Sequence, residues 1–477
     1  MMRLIAVRNR NLSLWQSAVG EFADRQSDPR LAKALHHAAG LHAAAAMKGV
    51  RLAPPALPAA AVAENLANAD PQTLAYVSQL VFEVAQAHQR GDIIGEAEAM
   101  ARLGDFIRQY STLDILGWMQ CVWYYVEYSV WADREPPYRD WTRQPQPDIN
   151  FGVIEYQLPP TAKILMIGDW GTHMTDNVAM LRAGLQAFAP DVIIHLGDIY
   201  YSGTKHECRQ NVLKVMDELV AELHIKRPPF FTIPGNHEYY SGGVGFFQTI
   251  DRINSSLAQC RQQASYFCLR SADNTWQFLG MDTGYDDRDP VSPVAPGLHD
   301  SEIRWHHDKL TKFPGTTILL SHHQLFSANA TLTESATPYL NDNLNAAFKT
   351  YFDRVAAWFW GHEHNYVVFK DGQFGLSKGR LVGCSAYEET QAEDPYTINY
   401  KAVAYAPNMT QLSLSPYQGD IETYYNHAMA LLSVSPTKID VSYYQYPSWD
   451  RDFTPPHVDK PTLLFSETIV PTPPPVA

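Results

Sequence analysis

Five short apolar runs, each followed at once by residues that carry chemistry, constrain this chain more than any other feature. They are KILMIGDWG at 163–171, DVIIHLGDIYYSG at 191–203, PFFTIPGNHEYY at 229–240, TILLSHHQ at 317–324 and AAWFWGHEH at 356–364. Each apolar part has strand length and no polar alternation, as expected of a strand covered on both faces. Between them lie helical patterns such as NVAMLRAGLQAFA (177–189), CRQNVLKVMDELVAELH (208–224) and SEIRWHHDKLTKF (301–313). Strand–helix alternation predicts an α/β core, in which functional side chains sit just beyond the carboxyl ends of the strands. The stretch at 422–447 reads as two alternating strands around a Ser-Pro-Thr turn, hence a closing hairpin.

The first third is built differently. Residues 12–49 and 60–133 are rich in Ala, Leu, Gln and Glu and poor in Gly and Pro, the composition of helix interiors. APPALP at 53–58 breaks this region, and Asp70-Pro71 marks a helix start. REPPYRDWTRQPQPD at 134–148 carries four prolines, through which no helix continues. The domain boundary is therefore expected there, with an all-α domain at 1–148 and a second domain at 149–477. The aromatic segment at 118–131 reads as a buried helix, and the tail VPTPPPVA as disordered or draped on the surface.

With 477 residues, 45% of them hydrophobic, the chain has enough apolar surface for a large core. The formal charge of −14 disfavours nucleic-acid binding through a basic surface. It leaves open a small phosphate ester, because a bound metal inverts the local field. Five cysteines imply no disulfide framework; Cys260 and Cys268 are close enough in sequence to pair, but buried thiols are the expectation. The N-terminus lacks an apolar signal region, and Ile115–Trp131 falls short of a membrane span, so a cytoplasmic protein is expected. Any oligomer or protein contact is assigned to the N-terminal helices. HHDK at 306–309 and His36-His37 are expected on solvated helix faces.

The five strand ends deliver Asp169, Asp198, Tyr201, Asn236, His237, His322, His362 and His364. Hard oxygen donors mixed with imidazoles suit iron, zinc or manganese. Seven candidate ligands exceed what one tetrahedral ion takes from protein and suit two ions sharing a carboxylate. Glycine precedes four of the clusters, at 168, 197, 235 and 361, where the backbone turns sharply beneath a metal. Singly, GDWG is an ordinary turn and GHEH an ordinary pair of surface histidines. All five in this order, each after an apolar strand, do not arise from core packing.

This set resembles the calcineurin-like metallophosphoesterase superfamily and, within it, the purple acid phosphatases of the small, tartrate-resistant type, over about residues 160–445. The superfamily's first motif is Asp-x-His, whereas this chain has Gly171 in the third place; GDIYY fits the Gly-Asp-x-x-Tyr of the purple acid phosphatases. The resemblance implies a four-layer αββα sandwich of two mixed sheets after the helical N-terminal domain. It implies a ferric site of Asp169, Tyr201, His364 and bridging Asp198, and a divalent site (Fe, Zn or Mn) of Asp198, Asn236, His322 and His362. Of the adjacent tyrosines, one must point away from the metals, and the family spacing selects Tyr201. His237 is implied as the catalytic group that approaches the phosphate and serves the leaving oxygen. Glu238 is expected to orient it or to cap a helix, and His323, beside a ligand, either to reach substrate or, facing away as adjacent strand residues do, to have no catalytic role.

The expected activity is hydrolysis of phosphomonoesters by water activated between two cations. A phosphodiesterase, or a nucleotide or phospholipid head-group hydrolase, is the alternative on the same core. An interaction protein with a vestigial phosphatase core is a third reading, disfavoured because no ligand is missing. The acidic, Pro-rich loop DDRDPVSPVAPGLHD at 286–300 is expected to restrict large anionic substrates.

Overall fold

The computed structural model describes residues 29–48, 50–53, 71–89, 94–95, 98–99, 102, 136–288, 295–333, 335–387, 389–391, 394–417, 423–449, 455, 457 and 459–472. The aromatic segment 118–131, Cys121 and the last five residues of the tail lie outside this set, as does the middle of the acidic loop at 289–294. The chain divides into two compact units, one within residues 1–135 and one composed of 136–288 and 292–477.

The first unit contains α1 (Pro29–Met47) and α2 (Pro71–Gln89), each with proline at its first position, where no amide hydrogen is needed. They pack through Ala38, Leu74 and Ala75. Leu52 donates its amide to Gln79 Oε1 (2.8 Å), and Glu83 takes both Arg51 and Arg102.

Residues 136–148, placed by composition on the helical side, belong to the second unit. Tyr138 stacks on His299 with ring centroids 4.8 Å apart and donates its hydroxyl to Glu302. Arg139 clamps both oxygens of Asp251 at 2.7 Å, and Trp141 Nε1 donates to the Ser301 carbonyl at 2.8 Å. Proline stops a helix, but these side-chain anchors decide which unit the segment joins.

Two mixed sheets form the second unit. One has six strands: β2 (Ala162–Ile167), β3 (Val192–His195) and β4 (Phe230–Thr232) run parallel, and β11 (His427–Val434), β12 (Ile439–Tyr446) and β13 (Thr462–Ile469) extend it antiparallel from β2. The expected hairpin is β11–β12. Strand β13, whose pattern of burial is weak, was not legible in the sequence. The other sheet has seven strands in the order β1 (Val153–Leu158), β5 (Phe267–Ser271), β6 (Trp276–Gly280), β7 (Thr316–Leu320), β8 (Val355–Trp360), β10 (Gly379–Val382) and β9 (Tyr366–Val368).

The alternation within β2 shows how the layers stack. Ile164 and Met166 enter the core between the sheets with Phe267, Phe278, Ile318 and Leu320. Leu165 and Ile167 face outward against α3 (Thr175–Phe188) and the helical run α4, which comprises Lys205–Glu207, the π-wound Cys208–Lys214 and Val215–Leu223. Across the second sheet, α7 (Asp300–Lys312) and α8 (Asp342–Phe348) take the outer face, with the Phe348 ring 5.4 Å from Trp358 of β8. Between them in sequence lie α5 (Asn236–Tyr240) and α6 (Val244–Ile253). The result is the helix–sheet–sheet–helix sandwich expected from the resemblance, with the five apolar runs as β2, β3, β4, β7 and β8.

Two of the four HHDK residues turn away from solvent, and His307 and Asp308 are half-buried. His306 and Lys309 are buried; His306 Nε2 lies 3.1 Å from Glu302 Oε1, and Lys309 Nζ donates to the Ile149 carbonyl at 2.7 Å. An apolar count misreads such a lysine, because its stem packs while its ammonium finds buried partners. Cys208, Cys260, Cys268 and Cys384 are free and buried.

Candidate metal centre

The carboxyl ends of β2, β3, β4, β7 and β8 meet where the two sheets converge, so five loops deliver their side chains to one buried place. Backbone geometry there is unusual: Asp169, Asp198 and His362 adopt φ of 56°, 73° and 70°. Two of the glycines are required by close approach. A Cβ on Gly235 would lie 2.0 Å from Asp198 Oδ1, and one on Gly361 would lie 2.4 Å from Asp169 Oδ2.

Two donor groups share this place. Asp169, Asp198 and His364 present ligand atoms within 4.8 Å of one another, and so do His322, His323 and His362. Asn236 joins the second group, its Oδ1 3.0 Å from His322 Nε2. Asp198 stands between them: Oδ1 is 3.4 Å from His322 Nε2, while Oδ2 is 3.1 Å from the Tyr200 hydroxyl in the first group.

The phenol that reaches the first group is that of Tyr200, not Tyr201. Its hydroxyl lies 3.1 Å from Asp169 Oδ1, 3.1 Å from Asp198 Oδ2 and 3.0 Å from His364 Nε2. Ile199 forms an isolated bridge with Gly171, whose amide donates to the Asp198 carbonyl and whose carbonyl accepts from the Tyr200 amide. Tyr201 contributes its carbonyl, which accepts from His237 Nδ1.

That contact fixes the His237 tautomer. A carbonyl only accepts, so Nδ1 carries the hydrogen and Nε2 is left facing Asp198 Oδ2 at 3.8 Å. Glu238 does not orient His237. Its Oε2 accepts from the Gly235 amide at 2.7 Å and the Asp198 amide at 3.3 Å, which makes it the cap of α5 and a brace for Asp198. His323, for which a reach to substrate and a non-catalytic role were both open, turns towards the site: its ring centroid lies 4.3 Å from that of His362, and Thr283 and Asp287 hold its two nitrogens at 2.9 and 3.0 Å. Tyr387, with no motif to flag it, stacks on His364 at 3.9 Å.

The electrostatics ask for cations. Burial, opposed by only a few donors, pushes the Asp169 carboxyl well above its usual range, and burial together with Asp169 does the same to Asp198. Among the described residues, their ion-pair partners within 4 Å are histidine nitrogens only. Burial in turn holds His322 and His364 well below the ordinary imidazole value and His362 at about 3, so all three are neutral, as metal ligands must be. His322 Nδ1 donates to the Leu196 carbonyl at 2.9 Å, so its Nε2 is a lone pair aimed at two oxygens, with no hydrogen between. Acceptors converging on acceptors, beside two buried carboxylates, fit two metal ions.

Beside His362 and His364 opens a cavity of about 450 Å³. Its wall includes Glu363, Asn365, Glu389, Asp394 and Tyr405 and has no lysine or arginine.

A two-sheet sandwich with such a centre defines a metal-dependent phosphoesterase fold. Residues 162–366 match the family model described as calcineurin-like phosphoesterase. Among solved structures it is similar to GAP50, the anchor in the inner membrane complex of Plasmodium, at 11% identity over 65% of this chain and 89% of that chain, TM-score 0.39. It is similar to the purple acid phosphatase PPD1 from yellow lupin (Lupinus luteus) seeds, at 14% identity over 63% and 55% of the two chains, TM-score 0.38. It is similar to PhoD at 11% identity over 66% and 69%, TM-score 0.40. No curated protein matches the chain. No helix among the described residues is long and apolar enough to cross a membrane.

Proposed function

We propose that this chain hydrolyses phosphomonoesters at a centre of two metal ions, in the manner of a purple acid phosphatase. One observation carries the reading: the two oxygens of Asp198 face two different donor groups, at 3.4 Å from His322 and 3.1 Å from Tyr200, as a bridging carboxylate requires. Asp169, Tyr200 and His364 would hold a trivalent ion, for which anionic oxygen donors are suited; Asn236, His322 and His362 would hold a divalent one. Such ions lower the pKa of water and neutralise phosphate oxygens. This chain supplies His237, whose Nε2, the ring nitrogen opposite the one on the Tyr201 carbonyl, would exchange a proton with the ester oxygen, while that carbonyl keeps its ring in place.

The acidic wall of the adjoining cavity repels anions, so the favoured leaving group is a neutral or cationic alcohol. That disfavours nucleotides. The test is metal content together with turnover of a chromogenic phosphomonoester and a phosphodiester. Wild type should carry two ions and prefer the monoester; Asp198→Ala should lose at least one ion and about 100-fold or more in kcat/KM, since even outer partners of ligands are worth 10–100-fold. A wild-type protein without metal that hydrolyses neither substrate overturns the proposal.

A further inference from the structure

A second, smaller cavity of about 240 Å³ lies between the start of α4 and α6, and its wall carries Lys205, His206, Arg209 and Arg252 with Gln248 and Thr249. No carboxylate lines it, in a chain of net charge −14. Among the described residues Lys205, Arg209 and Arg252 form no ion pair, and all three are exposed. The acids adjacent in sequence to the lining residues, Asp251 and Glu207, are committed elsewhere. Asp251, beside Arg252 in sequence, has both oxygens on Arg139 at 2.7 Å. Glu207 points to the opposite side of α4, where it accepts from the amides of Tyr201, Ser202 and Thr204 at 2.7, 3.1 and 2.9 Å.

From this arrangement we propose that the cavity binds a phosphate-class oxyanion and that the bound anion stiffens the catalytic segment. Three convergent cations and an imidazole in a concave site bind a multivalent oxyanion through charge-assisted hydrogen bonds. The coupling follows from helix geometry, because residues four apart share a face. Lys205 and Arg209 line the cavity, while Glu207 and Asn211 occupy the inward face. Asn211 Nδ2 donates to the Gly171 and Tyr200 carbonyls at 3.0 Å each. One helical turn thus presents cations outward and, inward, holds the backbone of Tyr200 and Tyr201. The turn is π-wound from Cys208 to Lys214, a geometry frequent at functional sites.

Anion binding here does not depend on hydrolysis, so its failure and that of the phosphatase reading are separable. The experiment uses the full chain and two probes, inorganic phosphate and glycerol phosphate, read by calorimetry and by hydrogen exchange of peptides covering 200–214 and 236–240. Phosphate should bind wild type at two sites and slow exchange in both peptides. Arg209→Gln/Arg252→Gln, which alters two exposed side chains, should weaken one site by roughly tenfold or more and lose protection at 200–214 only. Raised ionic strength should weaken the same site selectively. Binding of phosphate alone assigns the site to the free anion; equal binding of glycerol phosphate assigns it to phosphate groups on larger molecules. Undiminished binding and protection at 200–214 in the double variant overturn the proposal.

Discussion

The Tyr200 hydroxyl lies 3.1 Å from Oδ2 of Asp198, two residues earlier in the chain. Because the spacing motif points to Tyr201 and the contacts of the hydroxyl to Tyr200, the pair separates two assignments by a single spectrum. With iron bound, a visible phenolate-to-metal band is expected in wild type and in Tyr201→Phe. It should vanish in Tyr200→Phe. A band that survives Tyr200→Phe and is lost in Tyr201→Phe sinks the assignment.

His237 is buried and held through Nδ1, so its substitution should remove proton transfer without removing metal. His237→Ala is expected to lower kcat by about 10²–10⁴-fold, the usual worth of a general acid or base. Metal content measured by elemental analysis should stay at the wild-type level. Loss of metal in this variant would instead make His237 part of the ligand shell.

Chelation should destabilise the fold in a pH-dependent way. Without ions, burial holds Asp169 above the ordinary carboxylate range, and burial together with the charge of Asp169 does the same to Asp198. A carboxyl with a raised folded pKa contributes stability that is complete below its unfolded pKa and is lost as pH rises through the folded value. Bound cations offset that loss. The drop in Tm caused by a chelator should therefore be larger at pH 8 than at pH 5, measured by scanning calorimetry; an equal drop at both would contradict the electrostatic account.

A second buried acid pair sits away from the centre. Burial raises both Asp282 and Glu302 to about 7, helped at Asp282 by the charge of Glu302. The Asp282 amide donates to Glu302 Oε1 at 2.9 Å, and Tyr138 donates to Glu302 Oε2. By the same sign, this pair's contribution falls as pH rises from the ordinary carboxylate range towards 7. Glu302→Gln should flatten the dependence of Tm on pH across that window. Tyr138→Phe, which leaves a buried carboxylate short of a donor, should cost about 1–3 kcal/mol in denaturant unfolding. A neutral Tyr138→Phe would argue that residues 136–148 are not anchored on the second unit.

The strands that carry the site were legible because burial on both faces demands continuous apolar runs, and Gly-Asp, Gly-Asn-His and His-Glu-His follow them in sequence. Strands β13 and β1 were not, because half-exposed edge strands show weak patterning. Tyr387 escaped notice for another reason: it matters through a ring that only the fold brings near, at 3.9 Å from His364.

By itself, the sequence determined the α/β core, the order of the ligand-bearing strands and the chemistry of the donor set, since these follow from hydrophobic patterning and residue type. Tertiary structure decided which of two adjacent tyrosines meets the carboxylates, that Glu238 braces Asp198 rather than His237, and that residues 136–148 join the second unit. Each depends on which face of a turn or segment is presented. That is set by hydrogen bonds between residues tens to hundreds of positions apart, such as Gly171 to Asp198 and Tyr138 to Glu302.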